Sequence, residues 1–246
     1  MKIALLAGSV AAAFTASSFA GFAGFVANVR NLGGNTVIDI FAATTNSSDK
    51  FLNVYNVNAS TTVSGGFVQK AGLATKTWKP DTAGFTSTRN TSDDSFMTAG
   101  TFSGGVYGGQ YYASTNTNAD PFFSGTSWNG TPASAAATTI PANAGWYTGT
   151  PSSVDNVAES LAGLTGRVDG SGFASQAQFG IWCAHLVVAG ENREIGIDVS
   201  FSGFASIKDG LNGSTSQGTS DFSAVPAPGA LALLGVAGFA ARRRRA

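Results

Sequence analysis

The sequence of 246 residues is poor in charge, in cysteine and in histidine. Charged residues make up 11% of the chain, against roughly 25% in typical soluble domains. The only cysteine is Cys183, which excludes an intrachain disulfide, and a domain of this size can bury enough surface without one. With a single cysteine and a single histidine, a conventional zinc site would need carboxylates for its remaining ligands. A disulfide scaffold is therefore excluded, and a zinc protein is disfavoured.

Glycine, uncharged polar residues and aromatic side chains are abundant instead. The chain has 32 glycines, 18 phenylalanines and four tryptophans, and these large rings are sufficient for a hydrophobic core. The length allows one large all-β domain or two small ones. A composition of this kind suits an exported β-protein better than a cytosolic enzyme.

The first twenty residues, MKIALLAGSVAAAFTASSFA, have the three parts of a secretory signal peptide. Lys2 supplies the positive charge, an apolar stretch follows, and small residues lead up to Ala20. We predict export, with cleavage after Ala20 and, as the alternative, after Ala23. Residues 1–20 are therefore assigned to the signal peptide and residues 21–222 to the folded domain.

The net charge of the folded domain differs from that of the full chain, because several basic residues lie in the two terminal segments. Lys2 and Arg242 to Arg245 account for five of the 14 basic residues, which leaves nine against 14 acidic residues and a formal charge of −5. Nucleic-acid binding needs a basic face for the phosphates. We therefore expect no nucleic-acid partner.

The C-terminal segment, residues 223–246, combines prolines, an apolar stretch and a cluster of arginines. As a helix, the 13 uncharged residues from Gly229 to Ala241 would span about 20 Å, short of the roughly 30 Å hydrocarbon core of a membrane. The arginines that follow favour the cytoplasmic side. The pattern predicts a transient anchor or a processing signal, and its residues are Val225, Pro226, Ala227, Pro228, Arg242, Arg243, Arg244 and Arg245.

This three-part tail resembles the PEP-CTERM sorting signal of bacterial exported proteins. The resemblance implies recognition by an exosortase, a membrane transpeptidase-like enzyme that cuts near the Pro-Glu-Pro motif, and an association with exopolysaccharide and biofilm production. Ala227 stands where the family has Glu, and the likeness covers only about the last 22 residues. The alternatives are an ordinary tail anchor and a disordered basic tail.

The pattern typical of β-strands dominates between the two terminal segments. In EIGIDVSFSGF, every second residue from Ile195 to Phe201 is apolar, which predicts a strand with one buried face. FGIWCAHLVVA, residues 179–189, is apolar on both faces, and the turn-rich residues 190–193 predict an antiparallel hairpin between the two strands.

A second strand pair is predicted from NTVIDIFAATT and KFLNVYNVNAS, which flank Asn46-Ser47-Ser48-Asp49. Shorter strands are predicted in GGFVQKA and GGVYGGQYYAS, the latter with glycines that suggest bends or bulges. Several short strands separated by turns predict an all-β fold, either an antiparallel β-sandwich or a jelly-roll.

Two segments depart from the strand pattern. SSVDNVAESLAGL, residues 152–164, has apolar residues at helical spacing, including Leu161 and Leu164, and predicts one short helix beside the sheets. Residues 114–151 fit neither pattern and predict a long loop, whose aromatic side chains argue against simple disorder.

Cys183 and His185 lie two residues apart on a predicted strand and would therefore point to the same face. A catalytic Cys–His pair is disfavoured, because the strand is apolar and no Asn or Asp is identifiable that would orient the histidine. The preferred interpretation is a buried thiol and a histidine with a hydrogen-bond partner. We predict no catalytic residue.

Oxygen-rich turns are the remaining candidates for a metal site. Asn116 to Asp120 has the ligand spacing of a calcium loop, but Pro121 stands where an EF-hand needs glycine and Ser127 where it needs a bidentate glutamate. Asp93-Asp94 is a second candidate. Because turn chemistry explains most of these patterns, we predict no metal or cofactor and keep calcium as the alternative.

The aromatic residues of the long loop are candidate glycan contacts. Trp128, Trp146 and Tyr147 are set among Asn, Ser, Thr and Gly, so the rings would stack on sugars while amides and hydroxyls bond the sugar OH groups. The preferred interpretation is that these rings fold inward and pin the loop to the sandwich, because buried aromatic side chains are commoner than exposed platforms.

The sequence as a whole predicts an exported, non-enzymatic protein of the cell envelope, cell surface or extracellular matrix. Its expected partners are a processing enzyme of the exosortase type, the membrane through the tail before processing, and polysaccharide, as the tail resemblance implies. The alternative is a carbohydrate-binding module that uses the loop aromatics. An exported hydrolase is the least favoured hypothesis, because no pair of carboxylates can be assigned to glycosidase chemistry.

Overall fold

The computed structural model of the protein describes residues 21–69, 78, 92–100, 115–116, 138–148 and 158–222. Eleven β-strands lie within these ranges. They are β1 (Phe22–Leu32), β2 (Asn35–Thr44), β3 (Lys50–Thr61), β4 (Phe96–Gly100), β5 (Thr115–Asn116), β6 (Ala144–Thr148), β7 (Glu159–Ser160), β8 (Arg167–Asp169), β9 (Phe179–Ala189), β10 (Val199–Lys208) and β11 (Thr215–Asp221).

The strands form two antiparallel sheets that pack against each other. Sheet A has the order β4-β9-β2-β1-β8, with β7 also paired to β9, and sheet B has the order β11-β10-β3-β6-β5. The main core lies between them, where the ring of Phe25 in β1 meets the ring of Phe201 in β10 at a centroid distance of 5.1 Å. The all-β sandwich predicted from the sequence is confirmed.

Sheet A is buried on both of its faces. A second, smaller core on its outer side contains Phe41, Phe96 and Trp182, which are covered by Leu161 and Leu164 from the chain preceding β9. Strands covered on both sides need apolar residues at nearly every position. This double burial explains the almost continuous apolar character of β2 and β9.

Sheet B carries exposed side chains on its outer face. Along β3 and β10, buried residues alternate with more exposed ones, and Phe204 is 36% exposed. Such alternation is expected of a sheet with one face on the core and one in water. The outer side of sheet B, called the sheet-B face below, is therefore the open sheet surface of the described sandwich.

The positions of the four main predicted strands are confirmed, but both predicted pairings are wrong. β9 belongs to sheet A and β10 to sheet B, so residues 190–198 cross between the sheets instead of closing a hairpin. β2 and β3 are separated in the same way around residues 45–49. The alternation also breaks at Ile197, which is 63% exposed in a turn before β10. A short polar connection can join two sheets as readily as it joins two neighbours in one sheet.

The helix predicted for residues 152–164 is wrong where the structure describes this segment. Glu159–Ser160 is the short strand β7, which pairs with the start of β9, and residues 152–157 lie outside the described ranges. Leu161 and Leu164 are buried, but their apolar side chains serve the outer core of sheet A. Among the described residues, Ala174–Gln176 forms a 3-10 turn and Thr138 also has 3-10 geometry.

The predicted long loop contains two strands, β5 and β6, which extend sheet B. In the described part of the strand predicted in GGFVQKA, residues 65–69, the pairing is a single bridge between Phe67 and Val188. The strand predicted in GGVYGGQYYAS lies outside the described residues. The aromatic segment is thus partly built into the sheet, which determines where its side chains point.

Candidate functional site

The start of β1 bears on the predicted signal-peptide cleavage. Ala20 and the tail residues, Val225 to Pro228 and Arg242 to Arg245, lie outside the described residues. β1 begins at Phe22, whose backbone N–H donates to Ser216 Oγ at 3.1 Å. Cleavage after the alternative site, Ala23, would remove the first residues of β1, whereas cleavage after Ala20 leaves the strand whole.

Cys183 and His185 point to opposite faces of sheet A, so the prediction that they share a face is wrong. The register between β2 and β9 shifts at Ile40/Phe41, which places a β-bulge at Cys183. Cys183 consequently faces the main core, whereas His185 packs with Trp182 on the outer side. A bulge adds one residue and thereby reverses the alternation beyond it.

His185 is fully buried and belongs to a charged cluster on the outer side of sheet A. Its Nδ1–H donates to Asp39 Oδ1 at 2.7 Å, and Arg30 Nη1 donates to Asp39 Oδ2 at 2.5 Å. Both Asp39 and His185 are 0% exposed, and Phe96 stacks on the imidazole ring at a centroid distance of 4.8 Å. A buried carboxylate held by two partners is the arrangement expected of a structural cluster.

The thiol of Cys183 is unsuited to nucleophilic chemistry. It is fully buried, and burial raises the pKa of the Cys183 thiol far above its ordinary value. The thiol donates to Ile40 O at 3.3 Å. Because the thiolate is the reactive species, the geometry supports the interpretation of Cys183 as a small core side chain and of His185 as a hydrogen-bonded core histidine.

The structure describes the candidate calcium residues only in part, namely Asp93, Asp94 and Asn116. Asp94 is buried just before β4, while Asn118 and Asp120 lie outside the described residues. Within the described ranges, no group of three or more His, Cys, Asp or Glu side chains is placed to hold a metal ion.

Of the three loop aromatics, Trp146 folds inward and Tyr147 faces outward. Trp146 is 1% exposed, and its indole N–H donates to Thr98 O at 2.9 Å and to Cys183 O at 3.1 Å. A glycan contact by Trp146 is therefore excluded in this conformation, in agreement with the preferred interpretation. Tyr147, the next residue of β6, is half-buried on the sheet-B face. Trp128 lies outside the described residues.

An aromatic pair lies beside Tyr147 on the sheet-B face. Tyr55 of β3 and Phe204 of β10 are directly opposite each other, with ring centroids 5.2 Å apart and planes inclined by 19°. The hydroxyl of Tyr55 donates to Gln217 Oε1 of β11 at 3.2 Å. Tyr147 is opposite Asn53, two residues from Tyr55 along β3. The face therefore combines apolar rings with amides and hydroxyls, as carbohydrate sites do.

Sequence reasoning found Tyr147 but missed Tyr55 and Phe204. Each of these two lies in a recognised strand, at a position where alternation places an outward side chain. An aromatic residue at an outward position of an amphipathic strand is the signal that could have identified them.

The structure and the comparisons with known proteins assign no further site. Among the described residues, no helix has the length and apolarity that a membrane crossing requires. The apolar tail segment predicted from Gly229 to Ala241 lies outside those residues. No protein-family model, curated protein sequence or solved structure matches the chain.

Proposed function

We propose that this protein is an exported, non-enzymatic component of the cell surface or extracellular matrix, and that it binds polysaccharide through the sheet-B face. The observation that carries the proposal is the aromatic pair, Tyr55 and Phe204, on an open sheet surface rich in amides and hydroxyls. Carbohydrate recognition requires apolar contact area together with placed hydrogen-bonding groups. The carbohydrate-binding hypothesis thus moves from the loop to the sheet.

Export and sorting rest on the two terminal segments and fit the limits of the sandwich. β1 starts two residues after the predicted cleavage site at Ala20, and β11 ends at Asp221, before the Val225 to Pro228 motif. Processing at both positions would leave every strand of the sandwich intact. An enzyme of the exosortase type, acting while the tail holds the chain at the membrane, is the proposed processing partner.

Replacing the aromatic pair tests the polysaccharide proposal. We expect Phe204→Ala and Tyr55→Ala each to weaken binding of the exported protein to polysaccharide by about tenfold, since central aromatic contacts typically contribute more than 1 kcal/mol. Affinity electrophoresis in gels that contain individual polysaccharides measures the retardation of each variant.

Phe173→Ala provides the matched control for the aromatic pair. Phe173 is 46% exposed, more than Phe204, but lies beside the 3-10 turn on the sheet-A side. The Phe173→Ala variant should be retarded in polysaccharide gels as much as the unchanged protein. Equal losses in Phe173→Ala and Phe204→Ala would show that binding depends on general surface hydrophobicity, and the proposal would fail.

The intact mass of the native protein tests the proposed processing. We expect protein recovered from the cell envelope and from the medium to lack residues 1–20 and everything after the Pro226–Pro228 region. A mass that retains Arg242 to Arg245 would contradict sorting and leave a surface protein with an unprocessed tail. A chain that starts at Gly24 would indicate cleavage after Ala23 and loss of the first residues of β1.

A further inference from the structure

Four polar side chains form a row across the sheet-B face. Gln217 of β11 is opposite Ser206 of β10, Ser206 is opposite Asn53 of β3, and Asn53 is opposite Tyr147 of β6. Since neighbouring strands are about 4.8 Å apart, the row crosses four strands over about 14 Å. We call these four residues the polar row.

The centre of the polar row holds hydrogen-bonding groups that the protein itself does not use. Ser206 Oγ and Asn53 Oδ1 are buried atoms with no hydrogen-bond partner among the residues that the structure describes. Ser206 as a whole is 1% exposed. Unpaired buried polar groups are rare in folded proteins, because each loses its hydrogen bonds to water without gaining a partner. They lie side by side on the same face as the exposed rings, and a hydroxyl-rich ligand would complete them once the side chains that cover them move aside.

The aromatic pair forms an apolar ridge along one side of the polar row. Phe204 and Tyr55 are each two residues from a member of the row on their own strand, which places the ridge about 7 Å away. The hydrogen bond from Tyr55 to Gln217 connects the ridge to the end of the row. A linear ligand along the row would have apolar contact on one flank and hydrogen bonds beneath it.

Neither the polar row nor the ridge contains a charged side chain. Lys208 and Lys50 are opposite each other beyond the row, but each is adjacent in the chain to a buried carboxylate, Asp209 or Asp49. This end of the face is therefore close to neutral, while the body as a whole carries a formal charge of −5. These charges match a neutral ligand and would repel a polyanion.

We propose that the sheet-B face binds a neutral, extended polysaccharide that runs across the strands along the polar row. This inference rests on the proposed function and adds the class and direction of the ligand. The strand spacing is comparable with the length of one sugar residue in an extended chain, so successive sugars meet successive strands. Their hydroxyls bond the more accessible members of the row, Gln217, Asn53 and Tyr147, and their apolar faces contact Phe204 and Tyr55.

The direction of the ligand is tested by two matched pairs of variants on the same face. Gln217→Ala and Asn53→Ala remove members of the polar row, whereas Asn58→Ala and Ser202→Ala remove outward side chains that lie opposite each other, farther along the same β3 and β10 strands. We expect about a fivefold to tenfold loss of affinity for the first pair and less than a twofold change for the second. The reverse pattern would mean that the chain lies along the strands and would overturn the proposed direction.

The ligand class is tested with polysaccharides that differ only in charge. Hydroxyethylcellulose and carboxymethylcellulose share one backbone, and dextran and dextran sulfate share another. We expect the full exported protein to bind a neutral member, with little change on adding salt or in Lys208→Gln. With neutral oligosaccharides of increasing length, affinity should rise up to about four sugars, one for each strand of the row.

Each other outcome of these measurements has a defined meaning. Binding of acidic polymers alone would overturn the neutral class but leave the proposed function standing, whereas no binding to any polysaccharide in a broad neutral and acidic panel would overturn both. Variants that change the oligomeric state in light scattering without changing glycan binding would assign the face to a second copy of the chain. Circular dichroism of each variant verifies that the sandwich has folded.

Discussion

Replacing Trp146 by alanine should lower the free energy of unfolding by about 3–5 kcal/mol, the range for a fully buried tryptophan. Trp146 belongs to β6 of sheet B, but its indole N–H donates to the carbonyls of Thr98 and Cys183 in sheet A. The substitution would leave a cavity and two buried carbonyls without this donor. Urea denaturation of the protein, followed by far-UV circular dichroism, measures the loss.

Two further variants distinguish the contributions to the stability that Trp146 provides. One removes the indole donor but keeps a large ring, and the other changes the adjacent residue as a control. Trp146→Phe keeps much of the apolar volume and should cost about 1–3 kcal/mol through the lost donor. Tyr147→Ala changes the next residue, which faces outward, and should cost less than about 1 kcal/mol while it weakens glycan binding. If Tyr147→Ala destabilised the fold as much as Trp146→Ala, the assignment of the two side chains to opposite faces would be wrong.

Asp39→Ala should be about as destabilising, with a loss of about 3–5 kcal/mol. Breaking a buried ion pair leaves the remaining charged or polar partners without compensation, and here Asp39 accepts hydrogen bonds from both Arg30 and His185. The expected result is a large fall in the denaturation midpoint with little change in glycan binding, because the cluster lies on sheet A, away from the sheet-B face.

The ion pair between Arg167 and Asp169 serves as the control for Asp39. Its N···O distance is 2.7 Å, but its two side chains are 25% and 34% exposed. Exposed pairs contribute roughly 0–1 kcal/mol, so Asp169→Ala should change stability only slightly. If Asp39→Ala and Asp169→Ala lowered the free energy of unfolding equally, the proposed importance of burial for the Asp39 cluster would be wrong.

The strands are predictable from the sequence because their burial is local, whereas their pairing is not. Continuous apolar character locates β9, and alternation locates most of β10 and β3. The two patterns differ because β9 lies in sheet A, which is covered on both faces, whereas β3 and β10 lie in sheet B, which is covered on one face. The short polar connections nevertheless suggest hairpins, because turn chemistry does not specify which sheet the next strand joins.

Strands without large apolar residues escape prediction. β11, with the sequence TSQGTSD, is held by backbone pairing with β10 and by hydroxyls, including Ser220 Oγ, which accepts from Phe25 N at 3.0 Å. Hydrophobic periodicity contains no information about such a strand. β1 directly follows the predicted signal peptide, so its apolar residues are difficult to distinguish from those of the export signal.

The candidate site depends on features that one sequence does not display. The bulge at Cys183 reverses the direction of His185, and no residue type in FGIWCAHLVVA marks its position. The polar row joins residues as distant as Asn53 and Gln217, and each is an ordinary outward residue of its own strand. Only the register of four strands brings them into one line.

The contacts between β1 and β11, the first and last of the described strands, would impose an order on folding during the proposed export. Phe22 and Phe25 bond to Ser216 and Ser220, which are separated from them by 194 and 195 positions in the chain. Folds dominated by such distant contacts form slowly, because the chain must close large loops before these contacts contribute. Under the proposed export, the sandwich would be completed only after almost the whole body has crossed the membrane. A tail that holds the chain at the membrane until this point would delay release until the first strand has met the last.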